Sequence, residues 1–319
     1  MEPDDEGFRA HVRRYDDAGG RLSTVRELQS LVNGVGLGAL YALVGLAAAF
    51  VLRVTKIMNF AVGGIVVLAG LFAASSSGLP PALRLILLLL VGAPAGVLVH
   101  LVSTRWLEGR SQRPQEHDLG GVLVTVALAT ALQGLGYLLF GSDLRYATSV
   151  VPAATLSLGG GITVTTGTIL LVAAVALGGV ASWFVLERSG LGRALRAVSD
   201  DATTARLSGV RVSTMAYLAY ALLGVLCFFV GDVAAEVVGV TPDNVFHIIV
   251  GALFGLVIGG GDRIVGPIVG GLIVGLTESV VNARGGQFTA TVAQLGLVLV
   301  ILLVAPRGLF PDRTSRAVG

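Results

Sequence analysis

An all-α, polytopic transmembrane bundle of eight to nine spans is the fold class the sequence predicts. Three observations carry that reading. Apolar residues make up 54 % of the 319-residue chain and charged residues only 13 %, about half the ~25 % of a soluble domain. Mean hydropathy is +0.83. Charge-free runs of spanning length recur from one end of the chain to the other, and 45 glycines, about twice the ~7 % norm, follow no G-X-Y period. A soluble enzyme domain, a disordered chain and a collagen-like fibre are thereby excluded. The net charge of +2 offers no footprint for nucleic acid. The lone Cys227 cannot form an internal disulfide.

A bilayer core about 30 Å thick asks for roughly 20 apolar residues per helix. Residues Met1–Ser30 form a charged tail without an apolar core, so they read as a solvated extension and not as a signal peptide. Runs free of Asp, Glu, Lys and Arg then follow at Leu31–Leu52, Ile57–Leu83, Leu85–Thr104 and Leu119–Ser142. The uncharged stretch Tyr146–Leu186 opens on a Pro/Gly/Thr-rich part and becomes a span from about Thr163. Val212–Gly231, Asn244–Gly261, Ile264–Asn282 (interrupted only by Glu278) and Gly285–Pro306 complete nine candidates. The seventh and eighth are short and glycine-linked, so one of them can be re-entrant. The transmembrane domain is thus 31–310, with a cytoplasmic loop at 187–212 and a second tail at 311–319.

Lys and Arg in short loops set orientation. The Glu187–Arg211 loop holds Arg188, Arg193, Arg196, Arg206 and Arg211. Arg53 and Lys56, the Arg105, Arg110 and Arg113 loop, and the tail with Arg307, Arg313 and Arg316 are also basic. With nine spans all four fall on one side, the cytoplasm, and the Gly141–Ile162 loop and the N-terminal tail fall outside.

Small residues let helices approach closely in lipid. The first span carries Gly34, Gly36, Gly38, Ala42 and Gly45, and the eighth Gly266, Gly270, Gly271 and Gly275; these fit tight packing or the lining of a path. Polar groups at membrane depth cost about 2.5–3.5 kcal/mol for a central charge. Glu278 therefore reads as facing a watery cavity or pairing with a neighbour. Asp232 and Glu236 share a face near the outer end of span six, where snorkelling to water accounts for them, and His100 and His247 read as interfacial. No His, Cys or carboxylate spacing suits a metal, so no metal or cofactor is expected. The only lysine, Lys56, is followed by isoleucine, so there is no Walker A loop. G-x-S-x-G and H-E-x-x-H are also absent. Transport, anchoring or membrane-embedded assembly remain.

In the 187–212 loop, Leu195, Val198, Ala202 and Ala205 recur at 3, 4 and 3 residues, one apolar helical stripe. Arg193 and Arg196 lie off it, Asp200 or Asp201 can N-cap a second short helix, and Gly209 can end it. Such a pair of helices can lie on the membrane surface or dock into a partner's groove.

Three stretches resemble the membrane permease of the high-affinity branched-chain amino acid ABC importers, and the resemblance runs from about Leu31 to Phe310. LVNGVGLGALYALVGLAAAFVLRVTKIMNFAVGG resembles the family's opening span and its I-N-F-A-H-G turn. SGLGRALRAVSDDATTARLSGVRV resembles its cytoplasmic loop, whose helix docks on the ATPase. VIGGGDRIVGPIVGGLIVGLTES, with the closing APRGLF, resembles its C-terminal signature. The family's turn histidine is Val62 here, its glycine-serine is Asp262-Arg263, a lysine ahead of the signature is Gly251, and the glutamate of the docking loop is Thr203. The resemblance implies an ABC importer permease in a bacterial inner membrane, without an ATPase site of its own. It implies a homologous permease subunit, two cytoplasmic ABC ATPases and an extracytoplasmic solute-binding protein as partners. Gly192, Arg193, Leu195, Arg196, Val198, Asp200, Ala202, Ala205 and Gly209 would form the coupling loop, its apolar stripe entering the ATPase. Asn59 and Phe60, at the broken turn, and Glu278 would line or gate the path. Urea, short-chain amide and sugar importers share this permease type, so the solute stays open. A secondary transporter would instead show inverted repeats and paired midplane carboxylates, and neither is evident.

Overall fold

The computed structural model describes residues 5–108, 114–148, 155–157, 161–261, 263–306 and 308–310, with the side chains of 5–24, 81, 104–108, 114–119, 186 and 202 excepted. Asp262, Arg110, Arg113, Arg307, Arg313 and Arg316, and the side chains of Arg105 and Ala202, therefore lie outside what is described. The first helix, α1 (Asp5–Thr55), continues through the residues read as a separate tail, and its apolar part begins at Val25. It is followed by α2 (Ala61–Ser75), α3 (Pro81–Glu108), α4 (Pro114–Phe140), a two-stranded antiparallel hairpin β1 (Thr155–Ser157) and β2 (Thr163–Thr165), and α5 (Thr166–Arg188). Two short helices, α6 (Gly190–Asp200) and α7 (Ala202–Leu207), precede α8 (Val212–Val237), α9 (Asn244–Gly259) and α10 (Val265–Val304).

Six of these helices are long and apolar enough to cross a bilayer, α10 counted once, and α2 and α9 are shorter. The last two candidate spans fall within α10. At Gly286 the backbone takes φ 79° and ψ 174°, a conformation essentially reserved for glycine. The amide of Gln294 then meets the carboxylate of Glu278, 16 residues earlier. Sixteen residues of straight helix span about 24 Å, so α10 is folded into two antiparallel limbs, 265–285 and 287–304. The eighth and ninth charge-free runs are these limbs.

Contacts at the helix termini define two ends of the bundle. At one, Arg53 Nε donates to Gly261 O at 3.1 Å, Leu309 N to Ile258 O at 2.8 Å, and α6 packs on α1, α5 and α8. Here Arg53, Lys56 and the arginines of the 187–212 loop gather. At the other, Ser279 Oγ donates to Ser30 O at 2.7 Å, Gln29 pairs with Thr163, and the 145–147 backbone bonds to Val240 and Ala235. α1, α2, α3, α4, α5, α8, α9 and the two limbs of α10 lie between these ends.

The core sits where α1 meets the first limb of α10. A Cβ on Gly275 would lie 2.2 Å from Gly38 N, and one on Gly271 2.5 Å from Ala42 N. The small-residue registers of the first and eighth spans therefore pack backbone to backbone, which is how helices associate in lipid.

This arrangement gives a test of sidedness. With Cys227 replaced, a cysteine at Ser157, exposed on β1, should react with an impermeant maleimide from outside the cell. One at Ser208, exposed after α7, should react only after permeabilisation. The reverse pattern would invert the orientation.

Candidate functional site

Glu278 lies on the first limb of α10, 2 % exposed, and collects donors from three directions. Tyr41 of α1 donates to Oε2 at 2.8 Å, and Gln294 of the second α10 limb donates to the same oxygen at 2.5 Å. His247 Nε2 of α9 lies 2.7 Å from Oε1, and Gln287 Nε2 donates to it at 3.2 Å. A buried carboxylate is tolerated only when its lone pairs are taken. Here four donors take them, and one side chain thereby ties α1, α9 and both limbs of α10 together. Tyr41 fits because position 251 is glycine: a Cβ there would come within 2.4 Å of the Tyr41 ring.

Beside the carboxylate lies a cavity of about 230 Å³ whose wall mixes Leu37, Val66 and Val240 with Asn244, His247 and Gln287. The cluster can hold a polar solute or water by hydrogen bonds. Among the described residues no group of three His, Cys, Asp or Glu could hold a metal ion.

Asn59 and Phe60 are not part of this cavity. They lie in the non-helical segment between α1 and α2, which follows Lys56 at φ 57°. Asn59 is 3 % exposed, its Oδ1 accepts from Ala61 N at 2.9 Å to start α2, and its Nδ2 is buried without a hydrogen-bond partner. Phe60 is half-buried at the head of α2.

The expected snorkelling of Asp232 does not occur. Its carboxylate is sealed inside the bundle, with Arg84 Nε at 3.0 Å and side-chain exposures of 0 % and 1 %. Arg84 also donates to Thr148 through Nη1 to Oγ1 at 2.8 Å and Nη2 to O at 2.5 Å. His100 is buried between Tyr220, stacked at 4.7 Å, and Tyr217, edge-on at 4.7 Å.

The 187–212 loop is two helices with complete caps. Ser189 Oγ accepts from Gly192 N at 2.9 Å to start α6, and Asp201, not Asp200, accepts from Thr203 N at 2.8 Å to start α7. Hydrogen bonds from the Thr204 hydroxyl and the Thr203 amide hold the Asp201 carboxyl below its usual range. Gly209, at φ 84°, closes α7 with Gly209 N to Arg206 O and Val210 N to Ala205 O, both 3.0 Å, the paired bonds of a Schellman end. The described residues of the apolar stripe, however, face inward. Leu195 is 9 %, Val198 2 % and Ala205 3 % exposed, and Gly192 is buried with them. These three, expected to enter a partner, are packed into the chain's own bundle. Arg193, Asp200, Thr203, Arg206 and Leu207 are exposed, and Arg196, half-exposed, pairs with Glu187 at 2.9 Å.

Comparison with known proteins fits this arrangement. The family described as "Branched-chain amino acid transport system / permease component" matches residues 30–305. The fructose import permease protein FrcC of Rhizobium meliloti is 27 % identical over 277 residues, 82 % of this chain and 73 % of the relative. The high-affinity branched-chain amino acid transport system permease protein LivH of Escherichia coli (strain K12) is 26 % identical over 301 residues, 88 % of this chain and 94 % of the relative. The ribose import permease protein RbsC of the same organism is 27 % identical over 135 residues, 39 % of this chain and 41 % of the relative.

Proposed function

Because the chain belongs to the family of branched-chain amino acid transport system permease components, we propose that it is the membrane-spanning permease subunit of an ATP-driven importer of a small polar solute. The observation that carries the reading is the family match over nearly the whole bundle, with a cavity of mixed polar and apolar wall lying inside that matched region. A homologous second permease subunit would complete the pathway. Two cytoplasmic ABC ATPases would supply hydrolysis at the basic end, and a solute-binding protein would deliver solute at the opposite end, across a bacterial inner membrane.

The α6–α7 loop serves as the coupling element in this reading. It stands at the basic end on rigid caps, and its exposed face offers Leu207, 86 % exposed, and Leu191 among arginines. Glu278 and its donors serve as the polar part of the path wall. A carboxylate with four donors is already occupied, so solute would meet mainly the neighbouring amides and His247, which hydrogen-bond amino acids and sugars alike. FrcC, LivH and RbsC name fructose, branched-chain amino acids and ribose, and each is a candidate solute here.

The test is accumulation of labelled leucine, ribose, fructose and urea in proteoliposomes holding the complete complex. One of them should accumulate with ATP and its binding protein, and none should accumulate with this chain alone, which should not hydrolyse ATP. Hydrolysis by the isolated chain, or accumulation without the ATPase, would refute the reading.

A further inference from the structure

We propose that His247 carries a hydrogen on each ring nitrogen and is the counter-ion of Glu278, a proton-sensitive switch whose loss of that charge at alkaline pH stops uptake. The link to uptake rests on the permease reading; the protonation does not. Hydrogen positions follow from which atoms can only donate. Tyr41 Oη gives its hydrogen to Glu278 Oε2 at 2.8 Å, where Gln294 Nε2 also donates at 2.5 Å. Glu278 Oε1 stands 2.7 Å from His247 Nε2, a separation that needs a hydrogen between the two lone-pair-bearing atoms. Oε1 also accepts from Gln287 Nε2 at 3.2 Å. With the hydrogen on Nε2, every lone pair of the carboxylate is taken. Gln287 Nε2, 3.0 Å from His247 Nε2, then directs its hydrogen past the ring to Oε1. On the other side of the ring, Nδ1 lies 3.5 Å from Tyr41 Oη. That hydroxyl has spent its hydrogen on Glu278, so its oxygen offers only lone pairs and Nδ1 meets them as an N–H. Both ring nitrogens donate only in the imidazolium.

Charge balance calls for the same state. An uncompensated carboxylate is costly at membrane depth, and Glu278 is 2 % exposed. Around it α1 supplies Tyr41, and the second limb of α10 supplies the uncharged Gln287 and Gln294. On the cavity wall, Val66 of α2 and Gly231, Ala234 and Val238 of α8 are uncharged. The carboxylates of α8 face elsewhere, Asp232 to Arg84 and Glu236 to Gly167 of α5. Among the described residues, His247 is the group that supplies Glu278 with a positive charge. Access is one-sided. The His247 side chain is 39 % exposed and on the cavity wall, and that of Glu278 is 3 % exposed. Protons therefore exchange through the imidazole, and losing one leaves the carboxylate buried without a partner charge. Because α1, α9 and both limbs of α10 meet at Glu278, the imbalance reaches all of them.

Solid-state NMR of the complete complex in lipid bilayers, with isotope-labelled histidine in this chain alone, reads the ring directly. The signals that vanish in His247→Gln should report hydrogen on both nitrogens at neutral pH, and one bare nitrogen would overturn the proposal. In proteoliposomes, ATP-driven uptake of the solute that the complex accumulates should fall at least tenfold as the second hydrogen is lost, and return when the pH is lowered. His247→Gln should transport at least tenfold more slowly than the parent, with no such pH dependence. His247→Gln/Glu278→Gln, neutral again, should recover most of the uptake and stay flat over the same range. Should His247→Gln fail to assemble, Glu278→Gln takes its place: the ring should then show one N–H at neutral pH, and the alkaline loss should disappear. The same alkaline loss in these variants would place it in the ATPase or the binding protein and overturn the switch. Absence of uptake by the parent complex at every pH would instead strike the permease reading, with the NMR result still deciding the protonation.

Discussion

Replacing Arg84 by leucine is expected to destabilise the bundle by about 3–5 kcal/mol, the usual cost of leaving one member of a buried ion pair alone. Asp232 would lose the guanidinium 3.0 Å away, and no water reaches a carboxylate that is 0 % exposed in its side chain. The outer segment would lose its anchor as well, since Arg84 holds Thr148 by two hydrogen bonds. That segment braces Val240 through the Arg145 backbone, and Val240 is part of the cavity wall. Asp232→Leu alone should cost a similar amount by stranding Arg84. The double variant Arg84→Leu/Asp232→Leu should recover much of the loss, because no uncompensated charge remains. Cys227, buried and the only thiol, reports unfolding directly. Its labelling temperature with a thiol-reactive fluorophore in detergent should fall for each single variant and rise again for the double. Equal labelling temperatures in all four proteins would show that the pair contributes nothing.

The partition into spans was legible because bilayer thickness sets a length and charge marks the boundaries. Each charge-free run falls on an apolar helix, and the eighth and ninth lie on either side of Gly286 in α10. The same rule concealed Arg84. A charge between two apolar runs reads as a loop, whereas here it sits in the first turn of α3 and is buried against Asp232. Tyr41, His247 and Gln294 were hidden for a related reason. Each lies within an apolar run with no spacing that links it to Glu278, and only the fold of α10 brings Gln294 beside that carboxylate. Gly285 and Gly286 midway between Glu278 and Gln294 were the available signal.

The 187–212 loop shows where periodicity stops being informative. A stripe at helical spacing establishes a helix with one apolar face, but it does not say what that face touches. The caps at Asp201 and Gly209 could be read from turn chemistry, because those bonds are local. The direction of the stripe could not, because it depends on α1, α5 and α8, which are distant in sequence. Leu195, Val198 and Ala205 are core residues of this chain. A charge at Val198 or Ala205 would therefore unfold the loop and could not report on docking.

The exposed face supplies the variant that does. Leu207→Asp places a carboxylate on a side chain that is 86 % exposed, so insertion, folding and the labelling temperature of Cys227 should stay as in the parent protein. If the α6–α7 face seats in a partner ATPase, the same charge becomes buried and unpaired on assembly, typically at several kcal/mol. Thr203→Ala, a small change on the exposed side of α7, serves as the mild control. The decisive measurement is ATP-driven uptake by the reconstituted complex together with the amount of ATPase that co-purifies. Leu207→Asp should lower uptake at least tenfold and release the ATPase, with Thr203→Ala close to wild type. Wild-type uptake by Leu207→Asp with the ATPase still bound would contradict coupling through this loop.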